Sequence, residues 1–372
     1  MDPIPTKMRA LAARNYTKPE GYELLHVPVP EIKAPDEVLV RMHASGLFTG
    51  DAQAAAGSFR IITKTSFPMI LGRMGSGVVA AVGSGVHSLR LGDAVFGMGL
   101  KRPMAKYYAN GAAGWCAEYT VTTADLLLIK PPQLSFEEAA SGLSNLVTAI
   151  QLTRACMNLK PEAFPDRTLE GKTVLVTAGL GASTSLAAQY AKNVMGAEKV
   201  ITTVSTAKVP LLDRFLPNVF DQVIDYQTQN LISEVGKGKV DFLYNSRIDV
   251  MSYLPVMKQD GVIAPILGFP TPTLLKQMMG DGVVPFWVNW LLMLAELYYR
   301  WKLYGTNIKM QFVSGDVGIR EDLEKAGEIL ATGKVKTIQT VVSFEDIEAI
   351  KAGCEQARTL RGKIGQLVVK IV

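Results

Sequence analysis

The chain is short of the residues that build covalent and metal frameworks. It holds three cysteines and three histidines in 372 residues. Cys116, Cys156 and Cys354 lie far apart and form no C-x-x-C pair. That argues against a disulfide scaffold and a structural zinc site, and it fits a reducing, cytoplasmic compartment. Long apolar runs are also missing. No stretch reaches the roughly 20 apolar residues of a membrane-spanning helix. The N-terminal MDPIPTKMRALAARNY lacks the apolar core of a signal peptide. Charge of one sign is not concentrated anywhere: 39 basic residues face 34 acidic ones, for a net +5. With no basic block and no nucleic-acid-binding motif, no nucleic-acid partner is expected. There is no internal repeat and no low-complexity tract.

What is present is ample apolar material, 48% of the chain, and enough length for two domains. The organising stretch is Lys172 to Ala191, KTVLVTAGLGASTSLAAQYA. A β-branched run, 173–177, predicts a strand. Small residues from Ala178 to Thr184 predict a turn, and helical spacing of Leu186, Ala187, Tyr190 and Ala191 follows. Strand, glycine turn and helix open a dinucleotide-binding unit, in which close backbone approach and free helix amides receive a pyrophosphate. The pattern departs from G-x-G-x-x-G at one place: Thr184 stands where the third glycine would be.

Before this stretch, short β runs broken by glycine turns predict a small barrel-like β domain. Ser135 with Glu138 predicts a capping box that starts a helix. From Thr173 to Leu267 the expected order is strand 173–177, helix 182–194, strand 199–204, helix 207–216, strand 222–224, helix 228–235, strand 240–244, helix 249–257 and strand 262–267. Such alternation predicts a parallel, doubly wound sheet. The chain then returns to a mixed pattern and a last strand near 365–372.

Several fragments in order complete the picture: Gly72-Arg73-Met74-Gly75-Ser76-Gly77-Val78-Val79, Gly92-Asp93-Ala94-Val95, Gly114-Trp115-Cys116-Ala117-Glu118-Tyr119, Phe136-Glu137-Glu138-Ala139-Ala140, Thr148-Ala149, Val223-Ile224-Asp225-Tyr226 and Gly362-Lys363-Ile364-Gly365-Gln366-Leu367-Val368-Val369-Lys370. In this order the chain resembles the medium-chain dehydrogenase/reductase superfamily over nearly its whole length. The resemblance implies an α/β protein with a GroES-like β-barrel catalytic domain, residues 1–145 and 315–372, around a Rossmann nucleotide-binding domain, residues 146–314. In the zinc enzymes of that family a cysteine stands where this chain has Phe48, and a His-Glu pair where it has Arg73 and Met74. Phenylalanine has no lone pair to give and arginine is permanently charged, so no tetrahedral zinc site is expected and no metal is assigned. The chain thus resembles the zinc-independent quinone oxidoreductases and enoyl reductases, although only Asp51 survives of their Asn-Pro-x-Asp motif.

The second strand of the nucleotide domain ends at Val204, where an NAD-specific domain carries an acid. Ser205, Thr206 and Lys208 follow instead, which suits a 2′-phosphate and favours NADPH. The resemblance adds Thr148, Gly179, Gly181, Ala182, Ser183, Thr184, Tyr226, Asn245, Gly268, Phe269 and Lys363 as cofactor contacts. For catalysis, the backbone near Gly268, the Thr49 hydroxyl and the Asn145 amide are candidate donors to a developing oxyanion, and Tyr107, Tyr108 or water a candidate proton source. Phe48, Asp51, Trp287 and Trp290 are assigned to the substrate pocket. The stretch 283–302 carries three of the four tryptophans. Trp287, Trp290, Leu291, Leu294, Leu297, Tyr298 and Trp301 recur at helical spacing, so one face is broadly apolar, and the stretch reads as a core or homodimer-interface helix, a lid over an apolar substrate, or a helix lying on a membrane surface. Three functions fit: an NADPH-dependent reductase of an activated C=C bond on an apolar, polyketide- or lipid-like small molecule, a quinone or carbonyl reductase, and a catalytically silent nucleotide-binding adaptor.

Overall fold

The β-branched run Thr173–Thr177 becomes the strand on which a second layer of structure is built. Its side chains Val174, Leu175 and Val176 are fully buried, as a strand covered by helices on both faces requires. The computed structural model describes residues 3–99, 102–360 and 362–372, apart from the side chain of Tyr108. In it, Thr173–Thr177 lies inside a six-stranded parallel sheet. The order is Gln222–Asp225, Lys199–Val204, Thr173–Thr177, Val240–Asn245, Met257–Pro265, Lys309–Met310. Numbered along the chain, this is 3-2-1-4-5-6, the doubly wound order of a Rossmann domain. The strand direction from Thr173–Thr177 reverses its sideways progress there, so a crevice opens at the carboxyl ends of Thr173–Thr177 and Val240–Asn245.

The predicted elements fall close to place, with local differences that have causes. The helix expected over 182–194 is α-helical only at Ala182–Gln189 and widens to π spacing at Tyr190–Val194. The helix expected near 249–257 is a 3₁₀ segment, Met251–Val256, with Pro255 inside it. A proline removes an amide donor, so a regular α-helix cannot form there.

A second sheet is built from both ends of the chain. Its order is Gln339–Ser343, Gln366–Lys370, Glu37–Leu47, Met74–Val82, Ala94–Met98, Leu127–Ile129, with Tyr119–Thr123 also on Glu37–Leu47. Glycines at 75 and 77 let the Met74–Val82 strand lie close to its neighbour: a Cβ at Gly75 would stand 2.5 Å from the Ala44 carbonyl oxygen. Lys7–Ala13, Tyr22–Pro28 and Met69–Ile70 form a small sheet of their own.

The helix Phe136–Asn158 joins the two sheets. Its cap is the expected box: the Ser135 amide donates to Glu138 Oε2 at 2.8 Å, and the Glu138 amide donates to Ser135 Oγ at 3.0 Å. The helix packs on strands of both sheets and on the helices Ala182–Gln189 and Arg320–Ala331. It is therefore buried nearly all round, and small side chains (Ala139, Ala140, Ser141, Gly142, Ser144) allow the close approach.

Arg320–Ala331 is pinned to this helix through Asp322, which is buried and accepts from Gln151 Nε2 at 2.8 Å and from Arg154 Nη1 and Nη2 at 2.5 and 2.7 Å. Burial works to raise the Asp322 carboxyl, but the bonds from Arg154 and Gln151 outweigh it and hold the group below its ordinary range. Asp322→Asn is expected to cost about 1–2 kcal/mol at pH 7, a figure kept low because the half-exposed Arg154 regains water. A carboxyl with a lowered folded-state pKa stabilises fully above its unfolded value, about 3.9, and loses that contribution as pH falls through the folded value. Denaturant titrations should therefore show the gap between wild type and Asp322→Asn closing below about pH 4. A gap of constant size from pH 7 to pH 3 would contradict the assignment.

Candidate active site

The crevice at the strand ends is the inner part of a cleft of about 1330 Å³ between the two sheets. The turn after Thr173–Thr177 forms its floor. Ala178 turns the chain with φ of 55°, a left-handed conformation that costs any residue with a Cβ. The Gly181 amide then donates to the Ala178 carbonyl at 2.8 Å. Gly181 is the N-cap of the Ala182–Gln189 helix and offers no side-chain cap. The amides of the first turn are thus presented to the cleft with the positive end of the helix, as an anion site needs.

Thr184 now has a role. Its hydroxyl donates to the Ala178 carbonyl at 2.6 Å and closes the turn from within. The cost is borne by Gly181, where a Cβ would sit 2.6 Å from Thr184 Oγ1. The turn is also fixed from outside. The Gly365 amide donates to the Leu180 carbonyl at 2.8 Å, which ties it to the chain returning to the second sheet.

Many of the expected cofactor residues line the cleft: Thr148, Gly181, Ala182, Ser183, Thr184, Ser205, Lys208, Tyr226, Gly268, Phe269 and Lys363. Val204, with no carboxylate, lines it where an acid would meet a ribose. Lys208 Nζ donates to the Lys363 carbonyl at 2.7 Å, and burial depresses the pKa of both ammonium groups. Arg247, which the sequence reading missed, stands over the Tyr226 ring at 5.7 Å and lines the same end. It follows the fourth strand by two residues, so the switch-point topology was the signal that could have found it. Asp225 is near but occupied: it accepts from Thr206 Oγ1 at 2.6 Å, Thr228 Oγ1 at 2.9 Å and the Gln227 amide at 3.0 Å.

Three expected cofactor contacts are corrected. Gly179 faces away from the cleft, where a Cβ would meet Thr202 Oγ1 at 2.4 Å, so it serves packing of the turn on the next strand. Thr206 turns its hydroxyl to Asp225. Asn245 is fully buried and shapes the 245–247 turn, its side chain bonded to the backbone of Arg247. At the far end, Gly268 takes φ of 150°, and a Cβ there would meet the Phe312 ring at 2.7 Å.

The catalytic candidates fare differently. Thr49 lines the cleft, but its hydroxyl donates to the Ala357 carbonyl at 2.9 Å. Asn145 also lines it, with its amide already engaged: Nδ2 donates to the Ser141 carbonyl at 3.2 Å and to Gln366 Oε1 at 3.5 Å, and Oδ1 accepts from Ser183 Oγ at 2.6 Å. It positions the helix start rather than offering a donor. Tyr107 lies off the cleft wall and its hydroxyl donates to the Gly72 carbonyl at 2.8 Å, which removes it as a proton source. The side chain of Tyr108 lies outside the described part of the chain.

The substrate end is also redrawn. Phe48 lines it, beside Phe59, Ile62, Met278 and Met279. Asp51 does not. It is 2% exposed and lies behind Arg73, accepting from Arg73 Nε at 2.7 Å and from the Phe48 amide at 2.8 Å. Arg73 itself lines the cleft. The Phe286–Leu303 helix reaches the cleft through Ala295, Tyr298 and Tyr299. Trp287 and Trp290 are 44% and 63% exposed and lie off the cleft wall. Of the apolar face read from the sequence only Tyr298 reaches the cleft; its tryptophans and leucines are exposed, and the inner side is formed by Val288, Leu292, Ala295 and Tyr299.

Residues 34–132 match the alcohol dehydrogenase GroES-like domain. Over most of its length the chain is similar to proteins of the medium-chain dehydrogenase/reductase superfamily, among them a chloroplastic quinone-oxidoreductase homolog of Spinacia oleracea, 29% identical over 252 residues, 66% of this chain and 70% of that protein. The chain is 33% identical over 270 residues to 2-methylene-furan-3-one reductase of Solanum lycopersicum, covering 72% of this chain and 64% of that protein. It is also 33% identical over 270 residues to an Arabidopsis thaliana NADPH-dependent alkenal/one oxidoreductase of the chloroplast, covering 72% and 65%. The matched part thus spans a little under two thirds of these last two relatives. The fold is that of the quinone oxidoreductase from Coxiella burnetii, with a TM-score of 0.74 at 22% identity over 98% of this chain and 100% of that one. No helix among the described residues is long and apolar enough to cross a membrane.

The turn geometry yields a reciprocal test. Gly181→Ala is expected to weaken nicotinamide nucleotide binding about tenfold or more, because Thr184 cannot retreat without breaking its bond to Ala178. Gly181→Ala/Thr184→Gly should recover most of that loss. Equal affinity of the single and double variants, read by quenching of protein fluorescence, would show that the two side chains do not compete.

Proposed function

We propose that the protein is an NADPH-dependent reductase of carbon–carbon double bonds conjugated to a carbonyl group, acting without a metal. The observation that carries the reading is the polarity of the cleft. Its ribose end holds Lys208, Arg247 and Ser205 with Val204 in the acid's place, and its other end is walled by Phe48, Phe59, Ile62 and Met278. The two relatives, named as reductases of an exocyclic enone and of alkenals and alkenones, support it.

The residues fit the cofactor. The uncapped amides of Ala182 and Ser183 suit a pyrophosphate, and the Lys208 ammonium, which keeps two donors beyond its bond to Lys363, suits a 2′-phosphate. When bound, a reduced nicotinamide supplies the hydride. The protein's own part is to bind, orient and keep water away. Thr148 and the glycine-permitted backbone at Gly268 shape the wall at the reactive end, and the aromatic and aliphatic side chains admit an apolar substrate. The metal-free reading rests on donor chemistry: Phe48 offers no ligand, and Arg73 is held as a cation against Asp51.

Activity screening with NADPH against enones, enoyl thioesters and quinones tests the reading. Stereospecifically deuterated NADPH should place its label on the β-carbon of an enone. Label on a carbinol carbon would identify a carbonyl reductase instead, and absence of NADPH binding at millimolar concentration would leave only an adaptor role. Lys208→Ala and Arg247→Ala should each weaken NADPH about tenfold to a hundredfold, as loss of a charge-assisted phosphate contact does, and leave NADH unchanged. Equal losses for both nucleotides would remove the 2′-phosphate assignment.

A further inference from the structure

The Thr49 and Asn145 side chains expected as oxyanion donors are engaged within the protein, yet a reduction of a conjugated carbonyl places negative charge on an oxygen in this cleft. One charged side chain at the substrate end is built for that task. Arg73 lies just before the Met74–Val82 strand, lines the cleft beside Phe48 and Thr49, and is 7% exposed. Its Nε donates to Asp51 Oδ1 at 2.7 Å. Asp51 is in turn fixed by the Phe48 amide at 2.8 Å, at the start of the Thr49–Ala55 helix. The guanidinium lies 5.6 Å from the Phe48 ring centre. It also has space cut for it: a Cβ at Gly50 would stand 2.0 Å from Arg73 Nη2. A carboxylate behind, an aromatic ring alongside and a missing side chain at 50 fix the guanidinium plane at the cleft wall.

We propose that Arg73 is a catalytic residue that binds the substrate's carbonyl oxygen and stabilises the enolate formed when hydride reaches the β-carbon. The inference rests on the reductase reading above. In the balanced step the β-carbon would take up a hydride, which a bound reduced nicotinamide would supply, the π pair of the C=C bond would move to make the enolate, and charge would gather on the oxygen held by Arg73. A proton from water then adds to the α-carbon, leaving the saturated carbonyl compound and NADP⁺. Asp51 is a positioning residue. It accepts from the Nε side of the fork, so it orients the guanidinium without standing between it and the cleft. The substrate class that follows is an apolar enone or enal with the carbonyl at one end, because a cation set beside Phe48, Phe59, Ile62 and Met278 anchors one oxygen and rewards burial of the apolar remainder.

The test compares wild type with Arg73→Lys and Arg73→Met/Asp51→Asn. The double variant leaves no unpaired buried charge, and Arg73→Lys keeps the charge if the double variant fails to fold. Three readouts are taken: NADP⁺ affinity, affinity of the NADP⁺ complex for hexanoate as an unreactive oxyanion probe, and kcat with an alkenone. The double variant should keep NADP⁺ affinity, bind hexanoate about tenfold more weakly, and lose about a hundredfold to a thousandfold in kcat, as removal of an oxyanion donor does. Arg73→Lys should keep hexanoate binding within a few fold and lose about tenfold in kcat, since an ammonium cannot reproduce the planar fork. If wild type reduces no enone, the reductase reading fails, and the hexanoate measurement alone still decides whether Arg73 anchors an anionic oxygen. Hexanoate affinity and kcat unchanged within threefold in a folded variant would overturn the proposal.

Discussion

Asn145 is the place where the two halves of the molecule are held in register. It lies on the helix shared by both sheets. Its carbonyl side takes the Ser183 hydroxyl at the start of the nucleotide-side helix, and its amide side reaches Gln366 on the chain's last strand, in the second sheet. Gln366 Nε2 also donates to the Leu47 carbonyl, one residue before Phe48. One buried amide thus links the glycine turn, the returning C-terminal strand and the loop that carries the substrate wall. A buried polar network is costly when any member lacks a partner and specific when all are satisfied. Here the partners come from sequence positions more than 200 residues apart, so the cleft has its shape only when both sheets are correctly docked. The bond from Gly365 to Leu180 repeats the tie a few ångströms along the same seam.

The Arg73–Asp51 pair follows a different logic. Taking two charges from water costs several kcal/mol for each, and an apolar pair of the same volume is often as stable. The pair is therefore weak evidence for stability and stronger evidence for a positioned cation. Its surroundings agree. Gly50 gives up a side chain for the guanidinium, and the Phe48 amide satisfies the second oxygen of Asp51. The same aspartate was assigned to the substrate pocket from sequence, where its neighbour in three dimensions, 22 residues away, could not be seen.

The legible parts of the chain were those in which function follows local backbone. The Thr173–Thr177 and Lys199–Val204 strands fall where the β-branched runs predict them, and the Ser135–Glu138 cap forms as its spacing requires. The turn between the first strand and its helix could be read as an anion site because amides, φ angles and a missing Cβ are encoded within seven residues. Thr184 was visible as a departure, and only the fold shows that its hydroxyl does the work of closing the turn. Thr206 and Asn245 were placed at the correct strand ends but assigned to the wrong partner. A polar residue at a sheet edge can face a ligand or its own backbone, and spacing does not distinguish the two.

The substrate end was less legible because no single segment builds it. Phe48 and Arg73 come from either side of the first long loop, Met278 from the helix Pro272–Met279, and Tyr298 from the helix Phe286–Leu303. Helical spacing found both tryptophans on one face and could not say which face turns inward, since an inner row of Val288, Leu292, Ala295 and Tyr299 has the same period. Tyr299 anchors the inner row: its ring lies 5.8 Å from that of Phe312, and its hydroxyl is 3.8 Å from where a Cβ at Gly268 would stand. Of this helix, Ala295, Tyr298 and Tyr299 line the cleft, while Trp287, Trp290 and Trp301 stay exposed. In this way the fold keeps the reactive end of the cleft open and sets its apolar width.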